Sequence, residues 1–427
     1  MTGRFNLEPF ASPGYRRYFV AAALAALALW VYTPALEWII LTQTGRAGAV
    51  GLQQTVLIVA VALATLPSGM LTERFGPRRT LAVALAGLGL MIVVVTLVAA
   101  TGNLTFEAAL VLTFILGLFD GLYGVPANLL LGQVVEGRYL GSAIGLSFLT
   151  SGLGRLFGGP IGGATLQAFG PVQAFIPAAI GLGFSALVIL TTPLLKRDES
   201  PERGVAISDL AEAARWMWRH PAALWVAVLT AVSGLSVFCY GALLPSFTRD
   251  NLHADAAALG LLAGAGGVGV IVGAFVMEGL GKRLGRGRQL MFMFVACGVA
   301  MAGLAFTEAL PVALLLAALI TLVSMGYGGT AQLIVQTMPP PRMRARVLAV
   351  YTFAFYCVLP VGTALAGGLA DAFGVRGVML GMAGVTVATA AFVAVVYRPI
   401  LSIDLDARGQ ITVGGRPVKA VIAGPHS

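Results

Sequence analysis

The sequence predicts an all-α integral membrane protein with twelve transmembrane helices in two six-helix, pseudo-symmetric bundles. Three observations point there. Hydrophobic residues make up 58% of the 427-residue chain and charged residues 11%, with a mean hydropathy of +0.90. Soluble domains are about 45–50% apolar and about 25% charged, so lipid is the main solvent of this chain. Nearly the whole length can be tiled with apolar runs of the roughly 20 residues that a helix needs to cross a bilayer. Finally, the two halves repeat at one ungapped offset. Tyr123 meets Tyr327, Gly124 meets Gly328, Ala127 meets Ala331, Gly158 meets Gly362, Gly163 meets Gly367, and Ala168-Phe169-Gly170 meets Ala372-Phe373-Gly374.

The first helix is predicted over 18–42. Arg16 and Arg17 precede it as they would a secretory leader, but the run is too long for a leader's apolar segment and others follow it. Helices over 48–70, 80–101, 107–132, 140–168 and 173–195 complete an N-terminal bundle, 1–195. The one long connection, 196–221, is a linker with an amphipathic helix. Ser208 can cap this helix, Asp209 and Glu212 suit its first turn, and Trp216 and Trp218 suit a membrane interface. Helices over 222–247, 256–279, 288–306, 310–337, 345–371 and 377–398 form the second bundle, 222–398. The tail, 399–427, alternates apolar and polar residues, compatible with a small hairpin or a frayed end.

Net charge is +9, but the basic residues fall in short clusters between apolar runs rather than in one patch, which excludes a nucleic-acid partner. With the ends and alternate loops on one side, 23 of the 27 Lys and Arg residues share that side. Lys and Arg concentrate in cytoplasmic loops, so both termini are expected in the cytoplasm, in the inner membrane of a bacterium. Parallel six-helix repeats place a transport site at the midplane between the halves.

The stretch Gly69-Met-Leu-Thr-Glu73-Arg74-Phe-Gly76-Pro-Arg78-Arg79 concentrates charge between two apolar runs. It resembles the loop between the second and third helices of the major facilitator superfamily, approximately G-x-x-x-D-R-x-G-R-R. Glu73 replaces the usual Asp, and Pro77 shifts the basic pair by one position. The resemblance implies a cytoplasmic gate built from Gly69, Glu73, Arg74, Gly76, Arg78 and Arg79. In the second half, Lys282 stands where the acid would be, which counts against a symmetric second latch. Several further stretches, among them "WMWRHPAALW" and "LAGGLADAFGVRG", look like the branch that holds the enterobactin exporter and macrolide efflux proteins. The fifth helix resembles the family's antiporter motif through Gly145, Gly154, Gly159, Pro160, Gly162 and Gly163, with Arg155 where a glycine would stand.

Ionisable groups at bilayer depth are costly and usually functional. Asp120 lies about 13 residues into the fourth helix and Arg155 about 13 before the end of the fifth, so a rise of about 1.5 Å per residue puts both roughly 20 Å from the outer face. They are expected to pair. Glu37, near the outer end of the first helix, is a candidate for protonation or a solvated residue at the helix exit. Asn128 and Gln332 occupy equivalent repeat positions and, with Gln336, either line the cavity or bond between helices. Trp30, Tyr32, Tyr123, Phe238 and Tyr240 could provide an aromatic wall.

Other chemistries lack residues. Gly264-x-Gly266-x-x-Gly269 fits a dinucleotide fingerprint, but it lies inside an apolar helix and reads as helix packing. There is no Walker loop, and no catalytic or metal constellation among His220, His253, His426, Cys239, Cys297 and Cys357. No metal or cofactor is expected, and the protein is not expected to be an enzyme. The expected partners are a small molecule, protons and the bilayer, and the expected state is a monomer. The expected function is proton-coupled secondary active export of a siderophore or drug-like compound by alternating access. A macrolide, multidrug or lysophospholipid transporter, an importer, and a non-transporting sensor on the same fold are the alternatives.

Overall fold

The computed structural model describes residues 8–195, 207–405 and 411–417. The first bundle comprises α1 (Pro13–Thr44), α2 (Ala47–Phe75), α3 (Pro77–Ala100), α4 (Phe106–Gly121), α5 (Gly124–Val134), α6 (Leu140–Phe169) and α7 (Pro171–Leu190). A shorter helix, α8 (Ile207–Arg219), leads into the second bundle. That bundle comprises α9 (Pro221–Leu235), α10 (Tyr240–Asp250), α11 (Ala256–Leu284), α12 (Arg286–Phe306), α13 (Leu310–Thr337), α14 (Arg344–Phe373) and α15 (Val375–Val396). Together these helices make 12 apolar crossings, because Phe106–Val134 and Pro221–Asp250 each cross as two helices end to end.

Those two breaks depart from the continuous helices expected at 107–132 and 222–247, and local chemistry explains the first. Pro126 has no N–H, so the Leu122 carbonyl loses its helical donor. Ser68 Oγ of α2 donates to it instead, at 3.2 Å. The Leu122 and Tyr123 amides tighten onto Phe119 and Asp120, one residue short of helical spacing. At the second break the Phe238 amide reaches back five residues to Ser233.

The tightest connections are single glycines. Gly76, Gly170, Gly285 and Gly374 end α2, α6, α11 and α14, with φ between 76° and 83°. Only glycine takes such φ values at little cost, so four repeat-related hairpins each reverse the chain through one residue.

Each bundle has its own apolar core. One gathers buried residues between Tyr15 and Ile189, the other between Ala213 and Ile411. Ala47 and Ala256, which open the repeat-related α2 and α11, sit in the opposite bundle's core. The repeat also governs packing. Cβ atoms added at Gly158 and Gly362 would meet α1 and α9 within their own halves, at Trp30 and Gly234. Cβ atoms added at Gly163 and Gly367 would meet the opposite half, at Ala256 and Ala47.

The halves meet through α6 against α11 and α2 against α14, and among the described residues they meet toward one end. Call the end holding Pro13, the Gly76 turn and α8 the terminal end, and the other the distal end. In the distal part, Gly48 and Gly51 press on α14, and Gly159 and Gly163 on α11. Thr55 Oγ1 bonds Thr363 Oγ1 at 2.9 Å. Arg249 donates across the halves to the Leu41 and Gly45 carbonyls. In the terminal part, Cβ atoms at Gly69, Gly141, Gly145 and Gly279 would meet nothing within 4 Å. The halves are therefore closed distally and parted terminally.

Arg46 and Asp371 pair across the closed end at 3.2 Å, and Asp371 also accepts from the Gly48 amide. Arg46 is 73% exposed, and exposed ion pairs contribute about 0–1 kcal/mol. Asp371→Asn is expected to lower stability by no more than about 1 kcal/mol, as thermal unfolding of the purified protein will show.

Two terminal elements complete the fold. In α8, Ala213, Trp216 and Met217 are buried against the second bundle, and Glu212 pairs with Arg346 at 3.1 Å. Trp218 is 76% exposed, so only one tryptophan packs inward. The helix begins at Ile207, which puts the expected cap, Ser208, inside its first turn. After α15, β1 (Ile403–Leu405), β2 (Ile411–Val413) and β3 (Arg416–Pro417) form an antiparallel sheet. Buried Ile400, Ile403 and Ile411 join the second core, and Gly287 admits the Ile400 carbonyl against α12. Of the two readings left open for the tail, the ordered one holds for its described residues.

Candidate functional site

A cavity of about 620 Å³ opens between the parted halves, within the range of ligand pockets. Phe148, Phe238, Phe355, Tyr327, Tyr351, Tyr356, Val270 and Met325 give it an aromatic and apolar wall. Thr230, Ser233, Ser324, Thr352 and Gln332 add polar groups, and none of the described lining residues carries a charge. Most of this wall belongs to the second bundle; the first supplies Gly145 and Phe148.

The membrane-depth charges lie in the first bundle, and their arrangement differs from expectation. Asp120 and Arg155 do not form an ion pair. Equal depth fixes position along the helix axes, not the direction in which a side chain leaves. Arg155 leaves α6 on the face that packs against α11. Its Nε donates to the Ala263 carbonyl of the opposite half at 3.0 Å, and its guanidinium lies 4.5 Å over the Trp30 ring. Such a cation–π contact is favourable, more so when desolvated. Gly266 makes room for it: a Cβ there would lie 2.6 Å from Arg155 Cζ.

The carboxylate that feels Arg155 is Glu37. Glu37 is 5% exposed and accepts from Gln54 Nε2 at 2.7 Å, so it is a buried group and not a solvated helix end. Asp120 lies in the last turn of α4 beside the helix break, and its charge acts on the Tyr123 and Tyr356 hydroxyls. Tyr356 belongs to α14 and to the cavity wall. Arg155 thus reaches from the first half to the second.

Gly266→Ala is expected to leave the fold intact, because the clash falls on the movable end of a side chain. It should push the guanidinium off Trp30 and cut transport at least about tenfold, the effect of roughly 1.4 kcal/mol on a functional contact. Transport rates set against thermal unfolding of the variant will check this.

Other expected site residues scatter. Gln332 lines the cavity, and Gln336 follows one turn later on α13. Asn128 is exposed and donates to the Gly124 carbonyl of its own helix at 3.0 Å. Tyr32 is buried inside the first core, its ring centroid 5.3 Å from that of Phe175, and lines no part of this cavity. Tyr123 stands at the α4–α5 break. Of the expected aromatic wall, Phe238 is present; Trp30 instead holds Arg155, and Tyr240 bonds Thr321.

The helix 5 glycines serve two faces of α6. Gly154, Gly158 and Gly162 pack on α1, while Gly159 and Gly163 pack on α11, and Gly264 seats Pro160. The run Gly264–Gly269 is a helix crossing: Gly267 presses on α6 and Gly269 on α13. The charged stretch from Gly69 to Arg79 is disengaged. Glu73, Arg74 and Arg79 are exposed, a Cβ at Gly69 would meet nothing within 4 Å, Gly76 makes the turn, and Arg78 donates to the Thr192 carbonyl at 3.3 Å within its own half. Among the described residues no group of three or more His, Cys, Asp or Glu is placed to hold a metal.

Known proteins are similar to this chain in sequence or in fold. The chain is 28% identical over 409 residues to the multidrug efflux pump Tap of Mycobacterium tuberculosis, covering 93% of this chain and 96% of Tap. It is 27% identical over 365 residues to the enterobactin exporter EntS of Citrobacter koseri, covering 84% of this chain and 85% of EntS. Its fold matches the nucleoside transporter NupG with a TM-score of 0.73 at 14% identity, covering 90% of this chain and 99% of NupG. It also matches an inward-facing, unoccupied bacterial homologue of the human lysosomal transporter Spinster, TM-score 0.68 at 18% identity, over 91% and 95% of the chains. The profile of the Major Facilitator Superfamily matches residues 18–359 and 226–420. Twelve crossings, a twofold repeat and a cavity between parted halves thus coincide with a family match across both halves: the chain is a multi-pass membrane transporter and belongs to the Major Facilitator Superfamily.

Proposed function

We propose that the protein is a proton-coupled secondary active exporter in the inner membrane of a bacterium. It moves a lipophilic, drug-like molecule outward by alternating access, with both termini cytoplasmic. The observation that carries this reading is the one-sided opening: the halves close distally through glycine crossings and part terminally around the cavity. With the Lys- and Arg-rich end in the cytoplasm, the cavity faces the compartment from which an exporter loads. The disengaged gate fits the same state. The buried Glu37, and Asp120 at the α4–α5 break, are the candidates for carrying protons. Similarity to Tap and EntS supports export.

The uncharged aromatic wall favours a drug-like molecule. A siderophore is the second reading and rests on the similarity to EntS. The domain limits 1–195, 196–221, 222–398 and 399–427 and a monomeric state belong to the same proposal; parts of the linker and tail lie outside the described residues.

The test is release of a lipophilic fluorescent dye from loaded cells with and without the protein. Faster release that stops with a protonophore and is lost in Asp120→Asn or Glu37→Gln is expected. Equal release with and without the protein removes the drug reading, and normal coupling in Asp120→Asn removes that residue from the proton path. Comparing metabolites inside and outside iron-limited cells, with and without the gene, decides the siderophore reading.

A further inference from the structure

We infer that the second-bundle wall of the cavity holds a subsite that accepts, and does not donate, hydrogen bonds, and so selects molecules bearing a phenolic or other neutral O–H or N–H group. The inference rests on the cavity being the substrate site. It follows from an account of hydroxyl protons. Thr230, Ser233, Tyr327 and Tyr351 line the cavity together. Thr230 Oγ1 donates its only proton to the Val226 carbonyl at 3.0 Å. The Tyr327 and Tyr351 hydroxyls each lie 3.0 Å from the same oxygen. With the threonine proton committed, both phenols must be the donors, and Thr230 Oγ1 uses its two lone pairs to accept them. Ser233 Oγ donates to the Thr230 carbonyl at 2.7 Å.

Every proton of this cluster is therefore used inside the protein. What the phenol and serine oxygens retain is lone-pair capacity. A ligand donor pairs with it, whereas an ether or ester oxygen placed there meets only other lone pairs. A site built to pair with a ligand O–H or N–H discriminates strongly against an analogue that lacks it. Ser324, Gln332, Thr352 and Tyr356 are the other polar groups of the described wall, outside the cluster. None of the described lining residues is charged, so nothing there balances an anion.

Naphthol and its methyl ether test this, with binding to the purified full-length protein followed by fluorescence or calorimetry. Wild type is expected to bind naphthol about tenfold more tightly than the ether, the effect of one net hydrogen bond. Tyr327→Phe with Tyr351→Phe removes the phenol acceptors and should narrow the difference, because Ser233 Oγ and the released Thr230 Oγ1 can still accept. Thr230→Val keeps the shape and frees the Tyr351 proton to donate, while Tyr327 keeps Ser233 as a partner, so it should tighten binding of the ether and narrow the gap. Thermal unfolding confirms that each variant is folded. Equal wild-type binding of the two probes, no binding of naphthol, or a preference undiminished in both the double Phe variant and Thr230→Val overturns the subsite. The assay needs no proton gradient. A protein that fails to export still discriminates if the subsite is correct, and an exporter blind to the hydroxyl group removes the subsite alone.

Discussion

Alanine at Gly163 or Gly260 is expected to depopulate the terminally open conformation and to reduce transport at least about tenfold. A Cβ at Gly163 collides with the Ala256 carbonyl oxygen and stands 3.0 Å from Gly260 Cα. A Cβ at Gly260 collides with the Gly159 carbonyl and stands 3.1 Å from Gly163 Cα. These obstacles are backbone atoms of packed helices, which cannot rotate away as a side-chain tip can. Overpacking of this kind costs roughly 1–3 kcal/mol. Under alternating access the whole cost falls on the distally closed state, because the two helices separate there in the other state. A bias of about 2 kcal/mol changes a two-state ratio by roughly 30-fold. Spin labels at the exposed distal positions Asn103 and Glu308 report the change as a longer distance between halves. Gly145→Ala, on the same α6 but facing open space, should leave that distance unaltered. Unchanged distances and transport in both Gly163→Ala and Gly260→Ala would show that the glycine crossing does not govern the closed end.

These glycines also show what a sequence discloses and what it withholds. The twelve crossings were legible because lipid imposes one requirement on every residue of a span; their ends were less so, since α2 and α11 run on to Phe75 and Leu284, past the expected 70 and 279, until Gly76 and Gly285 turn the chain. The repeat was legible because Gly158 and Gly362, or Gly163 and Gly367, do the same steric work in both halves. The breaks after α4 and α9 were not, since hydropathy does not register a lost amide bond; Pro126 was the available signal for the first. The Asp120–Arg155 pairing failed for a geometric reason. Helix rise gives depth, but partner choice depends on which face of α6 carries Arg155, and that face is set by packing on α11. Gly266, legible only as a helix-packing glycine, makes room for the guanidinium from a helix far away in sequence, and Gln54 holds Glu37 from the next helix with no pattern to mark it. The hydroxyl cluster was invisible for the same reason, although Tyr327 had already stood out as the repeat mate of Tyr123.

Removing Arg155 should have the largest effect of any single change at the membrane midplane. Arg155 is the one residue that touches the Trp30 ring, the Ala263 carbonyl of the opposite half and the field of Glu37 together. Arg155→Leu strips a buried carboxylate of its cationic neighbour. Removing one member of a buried charge pair costs about 3–5 kcal/mol. The cost here should fall at or below the lower end, because Gln54 still donates to Glu37 and no direct ion pair is broken. Glu37→Gln in the same chain removes the stranded charge, so the double variant should unfold closer to wild type than Arg155→Leu alone. Its transport should stay absent, because the tie from the first half to Ala263 is still missing. Glu37→Gln by itself separates two roles. If Glu37 carries the proton, uphill export disappears while exchange of dye across the membrane continues. If Glu37 only orients Arg155, both fall together. A double-mutant cycle in unfolding free energy, run beside uphill and exchange transport, reads all of this. Additive stabilities in that cycle would mean that Glu37 and Arg155 do not act on each other, and the coupling of cavity, proton and opposite half through this pair would have to be abandoned.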